Sequence, residues 1–202
     1  MTGHGPRAMM RDMPPNRPSL RGRLLVATPL LTDPNFAGTV VLLCRHDAEG
    51  AFGVILNRPL ETAAIEIVPE WSERCAAPPV LFDGGPVRRT SALALGFDPE
   101  AATMSGRRPG WTAVQGPVGL IDMRAEPSAL PPTIEYVRIF AGSSGWDAEQ
   151  LDREIRDDAW FVVQSRAADV FSTEPLTLWR EVLRRHPRYA LYAFSGTDTS
   201  QN

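Results

Sequence analysis

Residues 39–45 (Thr-Val-Val-Leu-Leu-Cys-Arg) are apolar at consecutive positions; the chain then breaks at His46-Asp47-Ala48-Glu49-Gly50 and resumes in a second apolar run, 51–57. A strand with one wet face alternates apolar and polar residues, whereas one buried on both faces reads as a continuous apolar run. The first run is short and bounded by turn residues, so it predicts a central strand covered on both sides. With 51–57 it forms a hairpin. Such a strand needs a sizeable core around it. The 202 residues, 43% of them hydrophobic, supply that for one domain and are too few for two.

Other elements follow from local pattern. Residues 23–28 read as a first strand closed by Pro29. Asp33 before Pro34 is an N-cap followed by proline at the first helical position, which predicts one helical turn. Residues 62–75 suit a helix broken at Pro69. Residues 80–82 and 91–97 read as strands joined by a Gly-Gly-Pro loop, 111–123 as a hairpin turning at Gly116-Pro117, and 135–141 as a strand. Trp146, Leu151, Ile155 and Ala159 are spaced for one helical face, so 146–158 reads as a helix. A short strand at 161–163 comes next. A helix over 175–185 places Leu176, Trp179, Val182 and Leu183 inward, and 189–194 reads as a final strand. Hairpins outnumber regular strand–helix–strand units, so the class is mixed α/β, α+β in character. The domain runs over 20–194. Residues 1–19 are aperiodic and rich in Gly, Pro, Arg and Met, which suits a disordered extension, and 195–202 form a polar tail.

Composition removes some classes of function. The net charge is −3, which argues against bulk electrostatic attraction to DNA or an anionic membrane. All 21 basic residues are Arg, a bias of composition rather than a site signal. No apolar stretch approaches eighteen residues and the N-terminus has no apolar leader core, so a cytoplasmic protein with no membrane span is expected. Cys44 and Cys75 fit no zinc or redox spacing. Cys44 reads as a small buried hydrophobe, with a disulfide between the two left open. No metal and no cofactor is expected.

Certain residues resemble a known family. His46, Gly50, Gly53 and Asn57-Arg58-Pro59, then Gly84-Gly85-Pro86-Val87, then Gly142, Gly145-Trp146, Gln150-Leu151, Glu154 and Trp160 resemble the AlgH/YqgE-like bacterial proteins. The resemblance spans nearly all of 20–194. Ser143 departs from it, standing where the pattern has an aromatic, and the N-terminal extension has no counterpart. The resemblance implies a bifurcated, mostly antiparallel sheet folded into a pseudo-barrel with flanking helices. Some members carry a transcriptional-regulator label, for which this sequence shows no convincing helix-turn-helix.

Three glycine-bearing turns hold the candidate functional residues. In Asp83-Gly84-Gly85-Pro86-Val87-Arg88-Arg89, successive amides can form an anion nest, and Arg88 and Arg89 can grip phosphate or carboxylate; Pro86 removes one donor. Gly142-Ser143-Ser144-Gly145-Trp146 lies between a predicted strand and a predicted helix. A hydrolase nucleophile elbow, Gly-x-Ser-x-Gly, has that context, but Trp146 stands where its last glycine belongs. A capping role for Ser144, or for Asp147 with Gln150, is the simpler reading. Asn57 and Arg58 end a strand before Pro59: Asn57 caps backbone, and Arg58 pairs internally, with Glu61 the nearest carboxylate. His46 beside Asp47 suits a turn better than a general base, and His186 after Arg184 and Arg185 suits a helix C-terminus. Glu149, Asp152, Glu154, Asp157 and Asp158 read as a solvated helix face. The expectation is a non-catalytic binding or regulatory protein for a small anion or a protein partner. Gly84, Gly85, Arg88, Arg89, Asn57, Arg58, Gly142 and Trp146 are its candidate ligand residues. A serine-type hydrolase using Ser144 with His46 or His186 is the alternative, and direct DNA binding is disfavoured.

Overall fold

Consecutive apolar residues of the first strand, β1 (Arg23–Ala27), split between two clusters, as the two-residue period of a strand requires. Leu24 and Val26 enter an interior cluster; Leu25 and Ala27 enter an outer one. The same division holds in β2 (Val40–Asp47), where Leu42 faces inward and Val41 and Leu43 outward. The continuous apolar run in the sequence is therefore a strand covered on both faces. It pairs with β3 (Gly50–Ile55) as the expected hairpin.

The computed structural model describes residues 18–101, 103 and 108–194. The tail 195–202, and the extension 1–19 apart from Pro18 and Ser19, lie outside them. The remaining strands are β4 (Pro59–Ala63), β5 (Val80–Asp83), β6 (Val87–Phe97), β7 (Trp111–Gln115), β8 (Val118–Ile121), β9 (Tyr136–Asp147) and β10 (Trp160–Gln164). The helices are α1 (Ala64–Ile67), α2 (Gln150–Arg156), α3 (Ala167–Val170) and α4 (Leu178–Arg184). The sheet order is β10-β1-β2-β3-β9-β6-β8-β7, with β5 also on β9 and β4 on β5. Among the described residues, every pairing of these strands is antiparallel except β5 with β9. The sheet curls, so that β7 returns toward the start of β1, where Arg21 Nη1 donates to the Ala113 carbonyl. The fold is a mixed α+β domain with a curled, mostly antiparallel half-barrel.

The interior cluster holds Leu42, Val54, Leu56, Phe82 and Phe140, closed by Leu178, Val182 and Leu183 of α4. Each such side chain contributes on the order of 2 kcal/mol of burial free energy. One outer face is covered by Trp146, Leu151 and Trp160. The other carries Trp71, Trp111 and Ile139.

Several elements differ from the sequence reading. Residues 142–147 continue β9 as a strand, and α2 starts only at Gln150. β4 was hidden behind Pro59, which begins the strand instead of ending pairing; Pro59 sits opposite Phe82, and β4 has no second partner strand, so its missing donor is harmless. Residues 175–177 are a 3-10 turn before α4, which leaves Leu176 exposed rather than inward. The apolar run at 189–194 ends in a 3-10 turn, Ala190–Phe194, not a strand. The expected turn at Asp33 is present: Asp33 Oδ1 accepts from the Asn35 amide at 2.8 Å. Cys44 and Cys75 are both free thiols, and burial pushes the Cys44 thiol up to about 12.

Candidate functional site

The sheet forks along one edge of β9. Its first half takes β5, through Phe82 with Phe140 and Asp83 with Ala141; its second half takes β3, through Ser144 with Gly53 and Trp146 with Ala51. The chain leaves β5 at Gly84 and passes through the fork. The Gly84 amide donates to the Ala141 carbonyl at 2.9 Å, and its carbonyl accepts from the Ile55 amide at 3.1 Å. Gly84 is thus hydrogen-bonded to β9 and to β3. The approach of the strands is too close for side chains. A Cβ on Gly84 would overlap the Gly142 carbonyl, and one on Gly85 would overlap Ser144 Oγ. Gly142 adopts φ +75, a left-handed conformation suited to glycine.

This geometry redefines the glycine-rich turns. Ser144 is fully buried in a strand, and its hydroxyl donates to the Gly84 carbonyl at 3.1 Å. Residues 142–147 form a strand and not a strand–turn–helix elbow, so the hydrolase reading loses its support, and Ser144 caps no helix. The second cap is half present: Gln150 Oε1 accepts from the Asp147 amide at 3.0 Å. The Gly85 amide donates to Asp83 Oδ1 at 3.1 Å. With the Gly84 amide also committed and Pro86 lacking one, the amides of residues 84–86 offer no nest to an anion.

The remaining candidates have definite partners. Asn57 caps backbone as expected: its Oδ1 accepts from the Val40 amide at 2.8 Å and its Nδ2 donates to the Gly38 carbonyl at 2.9 Å. Arg58 does not pair with Glu61; it donates to the carbonyls of Asn35 at 2.9 Å and Pro34 at 3.0 Å. Trp146 is buried and donates its indole N–H to Glu154 Oε2 at 2.8 Å, and Trp160 donates to the same oxygen at 2.9 Å. Phe36 stacks on Trp146, with ring centroids 5.7 Å apart. Glu154 therefore belongs to an internal clamp, not to a solvated face. His46 Nδ1 accepts from the Leu20 amide at 3.0 Å, which fixes the entry of the chain. Ser144 and His46 have separate partners, and no hydrogen bond joins them among the described residues.

Arg88 and Arg89 alone among the candidate side chains reach solvent freely. Val87 pairs with Ser143 and Ala92 with Ala141, so residues 88–91 stand opposite Gly142 alone and bulge outward. Residues 88–91 are all exposed. Arg89 lies 3.6 Å from Asp83. Arg88 carries φ 50, in the left-handed region.

Two clefts lie elsewhere. One, of about 490 Å³, is lined among others by Leu30, Trp160, Phe161, Arg188, Tyr189 and Tyr192. A smaller one, of about 220 Å³, is lined by Gln164, Ser165, Arg166, Arg185 and His186. Arg185 crosses to α3, where it pairs with Asp169 through both guanidinium nitrogens. Arg184 lies in the last turn of α4 and Arg185 at its C-cap, the helix terminus expected from sequence, and the ion pair to α3 is made from that position. Burial, with Arg185 and Arg166 nearby, holds the His186 imidazole below its ordinary value, Asp169 opposing them. His186 Nε2 is shielded and has no partner among the described residues. Sequence reasoning missed this cleft because its parts come from β10, the start of α3 and the end of α4.

Elsewhere, Asp98 is a structural carboxylate. Burial alone would raise it, but Thr133, the Glu100 amide and Arg108 outweigh that and hold it below the usual range.

Comparison with known proteins agrees with the fold. Residues 24–189 match the family model described as AlgH-like. A UPF0301 protein of Streptomyces avermitilis is 48% identical over 185 residues, covering 91% of this chain and 96% of that protein. A UPF0301 protein of Mycolicibacterium smegmatis is 44% identical, covering 90% of each. A crystal structure of a Corynebacterium diphtheriae protein superposes with a TM-score of 0.80 at 30% identity, covering 90% of this chain and 94% of that one. The solution structure of the AlgH protein from Pseudomonas aeruginosa gives 0.65 at 24% identity over 93% and 98%, a likeness of fold.

Proposed function

We propose that this chain, which belongs to the AlgH-like family, is a non-catalytic binding protein that engages an acidic segment of a protein partner through Arg88 and Arg89. The observation carrying this is the strained, exposed bulge at residues 88–91. Three non-glycine residues among those described have positive φ. Asp158 stands just past the end of α2, where a left-handed residue commonly ends a helix, and Glu149 immediately precedes the first residue of α2. Arg88 lies in a strand, where a left-handed residue costs about 1–2 kcal/mol. Strain held on an exposed polar segment supports a functional role. The nearby glycine amides are spent inside the fold, so the guanidinium groups carry the recognition, and they suit carboxylates bidentately. The buried Ser144 and the structural His46 leave no catalytic pair to support an enzyme.

The test uses a fluorescent oligo-glutamate peptide as probe, with anisotropy measured at low and physiological salt. Wild type is expected to bind in a salt-dependent manner, and Arg88→Ala/Arg89→Ala to bind at least tenfold more weakly while melting at the same temperature. Equal binding by the two proteins removes the proposal. A duplex DNA of matched charge is the control; preference for DNA over the peptide would favour the regulator label instead.

A further inference from the structure

We propose that the cleft between the end of β10 and the end of α4 is a second binding site, which takes a phosphate-type oxyanion on Arg166, Arg185 and His186. It is independent of the Arg88–Arg89 surface.

Three observations converge there. First, the lining of Gln164, Ser165, Arg166, Arg185 and His186 brings two guanidinium groups and an imidazole to one small concavity. The facing carboxylate, Asp169, is already engaged: it pairs with Arg185 and accepts from the Arg166 amide at 2.7 Å. The charge of Arg166 is left over. Second, His186 Nε2 is cut off from water with no partner among the described residues. A desolvated polar nitrogen without a partner is unfavourable, and a turn of the His186 ring toward the cleft would give it an acceptor oxygen there. Third, Arg185 is held in place before any ligand arrives, by Asp169 and by a bond from Nη2 to the Gln164 carbonyl at 3.4 Å. A pre-positioned guanidinium loses little conformational freedom on binding.

Size limits the ligand. The cleft measures about 220 Å³, below the roughly 300–1,000 Å³ of pockets that enclose whole drug-sized ligands. It suits an anionic group, free or at the end of a larger molecule. A tetrahedral oxyanion can present oxygens to three separate donors, which favours phosphate over a planar carboxylate.

The charged groups facing the imidazole are Arg185 after α4, and Arg166 and Asp169 at α3. A bound anion adds negative charge beside His186 and favours its protonated form. Binding should therefore tighten as pH falls through the His186 titration, and bound anion should move that titration upward.

The experiment is calorimetric titration of the full chain with inorganic phosphate at pH 6, alongside NMR titration of the His186 ring with and without phosphate. Sodium acetate and sodium chloride at matched ionic strength are run in parallel. Expected is saturable phosphate binding, an upward move of the His186 midpoint, and at least tenfold weaker binding in Arg166→Ala, with partial recovery in Arg166→Lys. Arg166 is exposed, so its loss should leave the melt unchanged. His186→Gln provides a second reading by removing the protein's share of the pH dependence. Unchanged affinity in Arg166→Ala, or a chloride effect equal to that of phosphate, overturns the proposal. Acetate binding as tightly as phosphate overturns the assignment to phosphate.

Discussion

The glycine fork and the basic cleft are opposites. At the fork, the polar groups at the junction are already matched: the Gly84 amide and carbonyl, the Gly85 amide and the Ser144 hydroxyl all have partners inside the fold. In the cleft, an imidazole nitrogen is buried with no partner among the described residues and one arginine has charge to spare. The fork is conspicuous in the sequence and the cleft is not. A glycine-rich motif can thus record where strands crowd together, while an unmet polar atom is the better indication of where a ligand belongs.

The fork offers the largest effect. Gly84→Ala puts a methyl group into the Gly142 carbonyl, and should cost about 3 kcal/mol or more in urea unfolding, the upper range for overpacking. A loss under about 1 kcal/mol would mean that the junction has slack and that the glycine serves something else. Next comes Glu154→Gln, which removes the charged acceptor shared by two indoles. It should cost about 1–3 kcal/mol, with a change in tryptophan fluorescence on unchanged fold content. Ser144→Ala removes only the bond to Gly84 and should cost about 1 kcal/mol. Wild-type Ser144 should stay unlabelled by an active-serine probe, and labelling would restore the hydrolase.

The smallest effect lies in the cleft. The folded His186 titrates below its ordinary value. Between that ordinary value, near 6.5, and the folded one, the unfolded chain binds more protons, so stability should fall as pH drops below about 6.5. Chemical unfolding at pH 7.5 and pH 5.5 should show this slope in wild type and a shallower one in His186→Gln. Phosphate should flatten it by favouring the protonated folded form. A slope unaffected by either change would separate His186 from the cleft's electrostatics.

Much of the scaffold was legible because strand periodicity is local. The β2–β3 hairpin, β1, and the β7–β8 hairpin at Gly116-Pro117 all follow from apolar runs and turn residues. The fork was not, because Gly142-Ser143-Ser144-Gly145 has the composition of a turn while forming the middle of a twelve-residue strand. Only tertiary pairing with β3 and Gly84 makes it extended. Residues 189–194 failed in the other direction: their apolar content suits a strand, but they form a short turn whose Tyr189 stacks on Phe161, with centroids 4.2 Å apart. Glu154 looked like one more surface acid until the fold brought two tryptophans to it. Arg166 and His186 are twenty residues apart with no shared motif, so their convergence is a property of the fold alone.

One NMR titration sets the two regions side by side. Inorganic phosphate is added to the isotope-labelled full chain, and the amides of Gly84 and Gly85 are followed together with the ring of His186. Committed amides at the fork should stay still while the His186 ring and the Arg166 amide move and saturate. Movement of the glycine amides with a silent His186 would contradict both assignments and return the anion site to the glycine loop.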